Sequence, residues 1–250
     1  MEYNQVVKGR FLERPNRFIA MVEIGGQMEA CHVKNTGRCR ELLLPGAKVW
    51  LEKSQNPNRK TAYDLVTVQK GEALINMDSQ APNKVVLEWL QENSLPHKSA
   101  EVPVCLGAPG MRQAAGGLFP GITYVKPECK YGSSRFDFYV EAGACRKIFI
   151  EVKGVTLEED GIARFPDAPT ERGVKHLLEL GRAVQEGYEG VVLFVIQMEG
   201  ARRFEPNDRT HPQFGEALRQ VSEAGVRILA YGCQVWEGGI VLGQAVNVRL

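Results

Sequence analysis

The run VVLFVI, Val191–Ile196, contains no polar residue and no alternation. A half-buried strand alternates apolar and polar side chains, so an unbroken apolar run of strand length is expected to be covered on both faces. It is far too short to cross a bilayer. It stands between two segments of helical period. ERGVKHLLELGRAVQEG (Glu171–Gly187) places Leu177, Leu178, Leu180 and Val184 on an apolar face and ends on Gly187, a residue suited to a helix C-terminus. HPQFGEALRQVSEAG supplies the second helix, and VRILAYGCQVW a further strand. Strand–helix–strand succession requires crossover connections and a partly parallel sheet. Three more strands are predicted upstream, in GITYVKPECKYG, RFDFYVEAG and RKIFIEVKGVTL.

The first 80 residues have a different grain. RFIAMVEIG and QMEACHVKN flank Gly25-Gly26 and predict a hairpin, and AKVWLEKS and KTAYDLVTVQKG flank the turn-rich QNPNR. This spacing predicts a small closed β-barrel, with RCRELLLPG as a short helix stopped by Pro45 and Gly46. DSQAPNKVVLEWLQENS then reads as a helix carrying Val85, Val86, Trp89 and Leu90 on one face. The predicted organisation is therefore mixed α+β, with a barrel domain over 1–80 and an α/β domain over 81–250.

Composition narrows the function. The 250 residues carry a formal net charge of +1, so a nucleic-acid partner must be held by a local basic patch rather than by a polycationic chain. The first 80 residues hold a small positive excess and the remainder a small negative one. The six cysteines (Cys31, Cys39, Cys105, Cys129, Cys145 and Cys233) form no C-x-x-C pair, which argues against a zinc ribbon and for reduced, structural thiols. The opening MEYNQVVKGR is polar and unlike a secretory leader, so a cytoplasmic protein without a membrane partner is expected. Neither G-x-x-x-x-G-K-[ST] nor G-x-G-x-x-G occurs, so nothing supports a nucleotide-dependent sugar enzyme.

The chemistry concentrates in FIEVKG, Phe149–Gly154. Strand alternation puts Phe149, Glu151 and Lys153 on one face and Ile150 and Val152 on the other. An E-x-K on a strand is most often a surface ion pair. Here, however, it sits at the C-terminal end of a core strand, where open α/β sheets bind ligands. The preceding strand contributes Asp137, which interrupts the apolar RFDF. If the two strands pair as a hairpin across AGACR, two carboxylates approach one another, and repulsion with desolvation would raise at least one pKa. A divalent cation, Mg²⁺ or Mn²⁺, resolves that conflict through hard oxygen ligands. Lys153 would then face a scissile phosphate or the attacking water. Asp137, Glu151 and Lys153 are the predicted catalytic residues, with Asp137 and Glu151 as metal ligands.

RFDF, FIEVKGVTL and ARFPDAPTERGVKHLLEL, together with RPNRF, CHVKNTGR, LLLPGAKVWL and NRKTAYDL, resemble the sugar fermentation stimulation protein A (SfsA) family over nearly the whole chain. The resemblance implies an N-terminal OB-like barrel followed by a restriction-endonuclease-like, PD-(D/E)xK domain with a mixed central sheet. It also implies DNA binding and a link to the regulation of sugar utilisation. It matches Asp137 to the metal-binding acid of the second core strand and Glu151 and Lys153 to the E-x-K of the third. Folds of this type often add another acid. Glu88 and Glu128 are the candidates, and Glu128 is favoured because it lies on the strand beside Asp137. The chain departs from the motif in one respect: Ser134-Arg135-Phe136, not Pro-Asp, stands before the metal acid, and Pro166-Asp167 falls after the E-x-K.

Around this centre, Arg172 and Lys175 are predicted to contact nucleic acid. Asp167 or Thr170 is predicted to cap the helix, with Thr170 favoured. His176 is read either as a residue near the active site, contacting phosphate or metal-bound water, or as an exposed side chain, and not as a metal ligand, since no second histidine stands near it in sequence. In the barrel, Arg14, Arg17, Lys34, Arg38, Arg40, Arg59 and Lys60 are predicted to line a nucleic-acid groove. Phe18 and Tyr63 are candidates for base stacking, Trp50 is assigned to the core, and His32 to a partnered position. The expected function is metal-dependent phosphodiester hydrolysis on DNA, with RNA as a second substrate class and a homo-oligomer compatible with the sequence. The competing reading is a non-catalytic DNA-binding regulator on a nuclease-type scaffold.

Overall fold

A computed structural model describes residues 1–35, 37–94 and 119–250; Thr36 and Cys105 lie outside the described residues. Six strands form the N-terminal sheet: β1 (Val6–Asn16), β2 (Ile19–Ile24), β3 (Gln27–Val33), β4 (Lys48–Lys53), β5 (Tyr63–Lys70) and β6 (Ala73–Asn76). Their order is β3-β2-β1-β4-β5-β6, and a parallel pairing of β3 with β5 closes the sheet into a five-stranded barrel. The predicted β2–β3 hairpin turns at Gly25-Gly26, and β4 pairs antiparallel with β5. The long β1 was not expected from the polar N-terminus. Phe11 is its one fully buried side chain, so the strand carries almost no hydrophobic signal of its own.

The short helix expected over RCRELLLPG does not form. Arg40–Leu42 makes one turn, with the Leu42 and Leu43 N–H groups both donating to the Cys39 carbonyl. Cys39 has a left-handed φ of 45°. The consecutive Leu42 and Leu43 are both buried in the barrel core.

The C-terminal part is a nine-stranded mixed sheet. Its strands are β7 (Ile122–Tyr131), β8 (Ser134–Ala142), β9 (Arg146–Val155), β10 (Leu157–Glu159), β11 (Ile162–Phe165), β12 (Glu189–Ile196), β13 (Arg203–Pro206), β14 (Arg227–Trp236) and β15 (Gly239–Val248). β7, β8 and β9 form an antiparallel meander, and β9, β12 and β14 run parallel. Helix α1 (Ala81–Glu92) covers one face. Helices α2 (Glu171–Gln185) and α3 (Pro212–Glu223) cover the other. β12 is buried from Gly190 to Ile196, as its unbroken apolar run requires. Its odd residues Val191, Leu193 and Val195 pack toward α1 and its even residues Val192, Phe194 and Ile196 toward α2 and α3. Thr170 caps α2 by accepting the Gly173 N–H, and Gly187, at φ 94°, follows its end.

Barrel and sheet share one continuous core. At the junction the Asn76 N–H donates to the Gln197 carbonyl, and the Gln197 amide donates to Asn76 and to the Asp78 carbonyl. Lys70 of β5 pairs with Glu158 of β10 at 2.9 Å. Among the described residues no helix is long and apolar enough to cross a membrane.

Candidate active site

Strand β9 presents Glu151 on the face that holds Phe149, toward α2, while Ile150 and Val152 pack toward α1. The alternation read from FIEVKG is therefore realised. The β8–β9 pairing ends at Phe138 and Ile150. Just beyond it the Asp137 carboxylate takes over: Oδ2 accepts the Val152 N–H at 2.7 Å and Oδ1 accepts the Asn83 side-chain NH₂ at 2.8 Å. The alternation of β8 slips at this point. Phe136 stacks with Tyr131 and packs on Phe149 on the α2 side, whereas Phe138 joins the α1 side. Across from Asp137, Glu128 of β7 adopts a left-handed φ of 53°, an unusual conformation for a side chain of its size. Asn83 reaches Asp137 because the start of α1 rests on the end of β9, where Gly154 leaves room. A Cβ there would lie 2.7 Å from Pro82 Cγ and 2.6 Å from Gln197 Oε1.

Glu151 is only 2% exposed. Its Oε1 accepts Lys153 Nζ at 2.5 Å and lies 2.6 Å from His176 Nδ1, whereas its Oε2 is buried without a hydrogen-bond partner among the described residues. Burial pushes the Glu151 carboxyl up, but the His176 bond and the adjacent Lys153 ammonium outweigh it and hold the group below its ordinary value. Asp137 moves the other way. Burial and then the Glu151 charge raise it, and the Val152 N–H, Lys153 and Asn83 offset this only in part. These are the two nearby carboxylates the sequence predicted, in conflict as expected. Among the described residues no group of three or more His, Cys, Asp or Glu side chains gathers to hold a metal ion. The donor set is two hard carboxylates, one with a buried oxygen lacking a partner. That fits a cation such as Mg²⁺, which takes one or two carboxylates and keeps several waters.

Of the two readings of His176, the structure excludes the exposed one. The side chain is 7% exposed and points into the site. The signal was available in the helical period: His176 lies three residues after the buried Gly173 and four before the buried Leu180, so it shares their face.

Residues 80–239 match the sugar fermentation stimulation protein RE domain, and residues 12–77 match the SfsA N-terminal OB domain. The chain belongs to the sugar fermentation stimulation protein family. Relatives named sugar fermentation stimulation protein homolog extend over all of it. One from Desulfitobacterium hafniense (strain Y51) is 53% identical over 100% of this chain and 99% of its own. One from Clostridium beijerinckii is 52% identical over the full length of both. A solved structure, Pyrococcus furiosus SfsA in complex with Ca²⁺, superposes with a TM-score of 0.80 at 26% identity, covering 100% of this chain and 98% of that one. The OB-like barrel followed by a nuclease-type mixed sheet is thus the family's fold.

The remaining predicted residues divide by what they touch. Arg172 is exposed and lines the cleft with Asp137, Glu151 and Lys153, and so does Arg135, which the sequence reading did not single out. Lys175 is exposed one position short of His176. Glu128 also lines the cleft, but its exposed carboxylate lies 3.4 Å from Arg135. Glu88 pairs instead with the Met1 amine at 2.6 Å. Asp167 accepts the Arg38 N–H at 3.1 Å and leaves the capping to Thr170.

Three barrel cations predicted to line an open groove are committed internally. The Arg14 guanidinium donates to the carbonyls of Asn35, Gly37, Arg38 and Arg17, at 2.7–3.0 Å, and so pins the loop after β3. Arg59 grips Asp64 through two bonds of 2.7 and 2.8 Å. Lys34 sits 3.4 Å from both Asp64 and Asp78. For Lys34 and Arg59 the cause is the acidic interior of this end of the barrel. Asp64 is pushed up by burial, but Arg59, His32 and Lys34 hold it at about 2. Arg17, Arg38, Arg40 and Lys60 are exposed. Trp50 is core, Tyr63 is half-buried, and Phe18 is exposed with the Arg17 guanidinium 4.7 Å over its ring.

Proposed function

We propose that this protein is a divalent-metal-dependent nuclease that hydrolyses phosphodiester bonds, with DNA as the first substrate to test and RNA as the second. The observation that carries the reading is the convergence of Asp137 and Glu151 from adjacent strands into one cleft with Lys153, Glu151 keeping one buried oxygen without a partner. Such an oxygen in a closed protein core would be a cost with no return. The Pyrococcus furiosus relative, solved in complex with Ca²⁺, supports a divalent cation with a preference for oxygen ligands. Mg²⁺ or Mn²⁺ would be held by Asp137 and Glu151, and would supply a more acidic water and offset charge on the phosphate.

The chain's own residues have separable roles. Asn83 and the Val152 N–H fix the Asp137 carboxylate in position. His176 fixes that of Glu151 and keeps it ionised against the pull of burial. Lys153 brings an ammonium to the same face, placed to bind a phosphate oxygen. Arg135 and Arg172 at the rim offer two further cations to flanking phosphates. The inward commitment of Arg14, Lys34 and Arg59 removes three cations from the barrel groove, which weakens the competing picture of a regulator that binds chiefly through the barrel. A link to sugar fermentation rests on the names of the relatives.

The experiment is cleavage of labelled single- and double-stranded DNA and RNA in Mg²⁺ or Mn²⁺, wild type beside Glu151→Gln. Cleavage by wild type alone is expected. Equal cleavage by both proteins would remove Glu151 from the reaction, and salt-sensitive binding without any cleavage would favour the regulator.

A further inference from the structure

A second cleft, of about 200 Å³, adjoins the first and shares Ser79 and Gly154 with it. One wall comes from the end of β9 and from β11. The opposite wall is the barrel loop at Asn35 and Gly37. That wall is held in place: Arg14 grips its carbonyls, the Ser79 hydroxyl donates to the Lys34 carbonyl, and the Arg38 N–H donates to Asp167 across the domain junction. The barrel is thus part of the cleft beside the candidate active site.

The lining has a definite chemistry. Phe165, whose half-buried ring packs on Phe194 and Phe214, lines the cleft, and Arg164 contributes a guanidinium, its side chain only 12% exposed between Glu159 and Glu205. Asn35 commits its side-chain oxygen to the Gly37 N–H, so its NH₂ is the group it offers to a ligand. Gln197 commits its NH₂ to Asn76 and Asp78, so it offers its Oε1. An aromatic ring with one amide donor and one amide acceptor suits a nucleobase, which has a π-face and a hydrogen-bonding edge. Inside a duplex both faces are stacked and the edge is paired, so only an unpaired or extruded base can enter.

We propose that this second cleft receives the unpaired base of a nucleotide flanking the scissile phosphate, so that the substrate is single-stranded nucleic acid or an unpaired stretch of a duplex. The proposal rests on the nuclease reading above and specifies its substrate. The test is fluorescence anisotropy of the full chain in EDTA, where metal-dependent cleavage is off. The probes are a short fluorescein-labelled single strand, the same strand annealed to its complement, and the same strand with one abasic position. Wild type is compared with Leu157→Trp, which fills the cleft from its rim, and with Asn35→Ala. Since one stacked base contributes about 1–3 kcal/mol, Leu157→Trp is expected to weaken single-strand binding about ten-fold and leave duplex binding unchanged. Asn35→Ala is expected to act in the same direction, and single-strand binding is expected to exceed duplex binding. Equal affinity for strand and duplex, or wild-type binding by both variants, overturns the proposal. If Mg²⁺-dependent cleavage is nonetheless lost in Glu151→Gln, the nuclease reading survives that failure. If neither oligonucleotide is bound or cut, both fall.

Discussion

Replacing His176 with alanine removes a buried imidazole and its 2.6 Å bond to Glu151 Oε1. Hydrogen bonds to charged groups contribute about 1.5–3 kcal/mol, and Glu151 has no partner on its other oxygen to absorb the loss. We expect the variant to be less stable by about 2–3 kcal/mol at pH 7, a fall in Tm of roughly 5–10 °C for a chain of this size. The loss should depend on pH. In the wild type the folded Glu151 carboxyl lies below its ordinary 4.5, so its contribution is fully present above that value and disappears as pH falls through the folded one. In the variant, burial is opposed mainly by Lys153 and the carboxyl rises. The gap between the two proteins should then be widest at neutral pH and shrink as pH falls below the ordinary 4.5 toward the wild type's folded value. Urea denaturation of both proteins in EDTA at pH 7 and pH 4 measures it. An equal gap at the two pH values would mean that His176 only fills space, and no gap at pH 7 would refute the pairing itself.

Gly154→Ala should leave the fold intact but push Pro82 and Asn83 away from Asp137. A misplacement of this size costs on the order of 10²-fold in turnover, so kcat for oligonucleotide cleavage should fall by that order, beside a loss of ~1–3 kcal/mol in the thermal melt from overpacking against Pro82 and the buried Gln197. Glu128→Gly should relieve the left-handed backbone at φ 53° and raise stability by about 1 kcal/mol in a thermal melt. Retention of metal-dependent cleavage in that variant would exclude Glu128 as a ligand, and its loss would make Glu128 the further acid. Asp64, held at about 2 in the folded protein, stabilises the barrel above its ordinary 3.8 and loses that contribution as pH falls toward 2. Asp64→Asn should therefore cost about 1–2 kcal/mol at pH 7 and much less at pH 2, read from denaturation midpoints across that range.

Much of this was legible in local pattern. The unbroken VVLFVI run predicted a strand buried on both faces, the Gly25-Gly26 pair predicted its hairpin, and Thr170 and Gly187 marked the ends of α2. These features are set by periods of two or 3.6 residues and by backbone preferences that a few neighbours express. The same period placed Glu151 and Lys153 on one face. It hid β1, whose side chains are mostly not buried, and it suggested a helix over RCRELLLPG where the barrel core draws both Leu42 and Leu43 inward. Read more strictly it would also have buried His176.

What local pattern does not carry is the partner of a charged side chain. Arg14, Lys34 and Arg59 look like groove cations in the chain and turn inward in the fold, because the carbonyls and carboxylates that claim them lie up to 44 residues away in sequence. The slip at Asp137, the seat of α1 on Gly154 and the second cleft walled by the barrel loop likewise arise from segments that meet only after folding. By itself the sequence determined the two long helices α2 and α3, the strands β7–β9 and β12 of the central sheet, the fold family and the presence of an Asp, Glu and Lys on neighbouring strands. Only the tertiary structure decided which carboxylate oxygen is left without a partner, which histidine holds the other, and which cations remain free to meet a substrate. Burial and electrostatic pairing are properties of three-dimensional proximity, and spacing along the chain does not encode them.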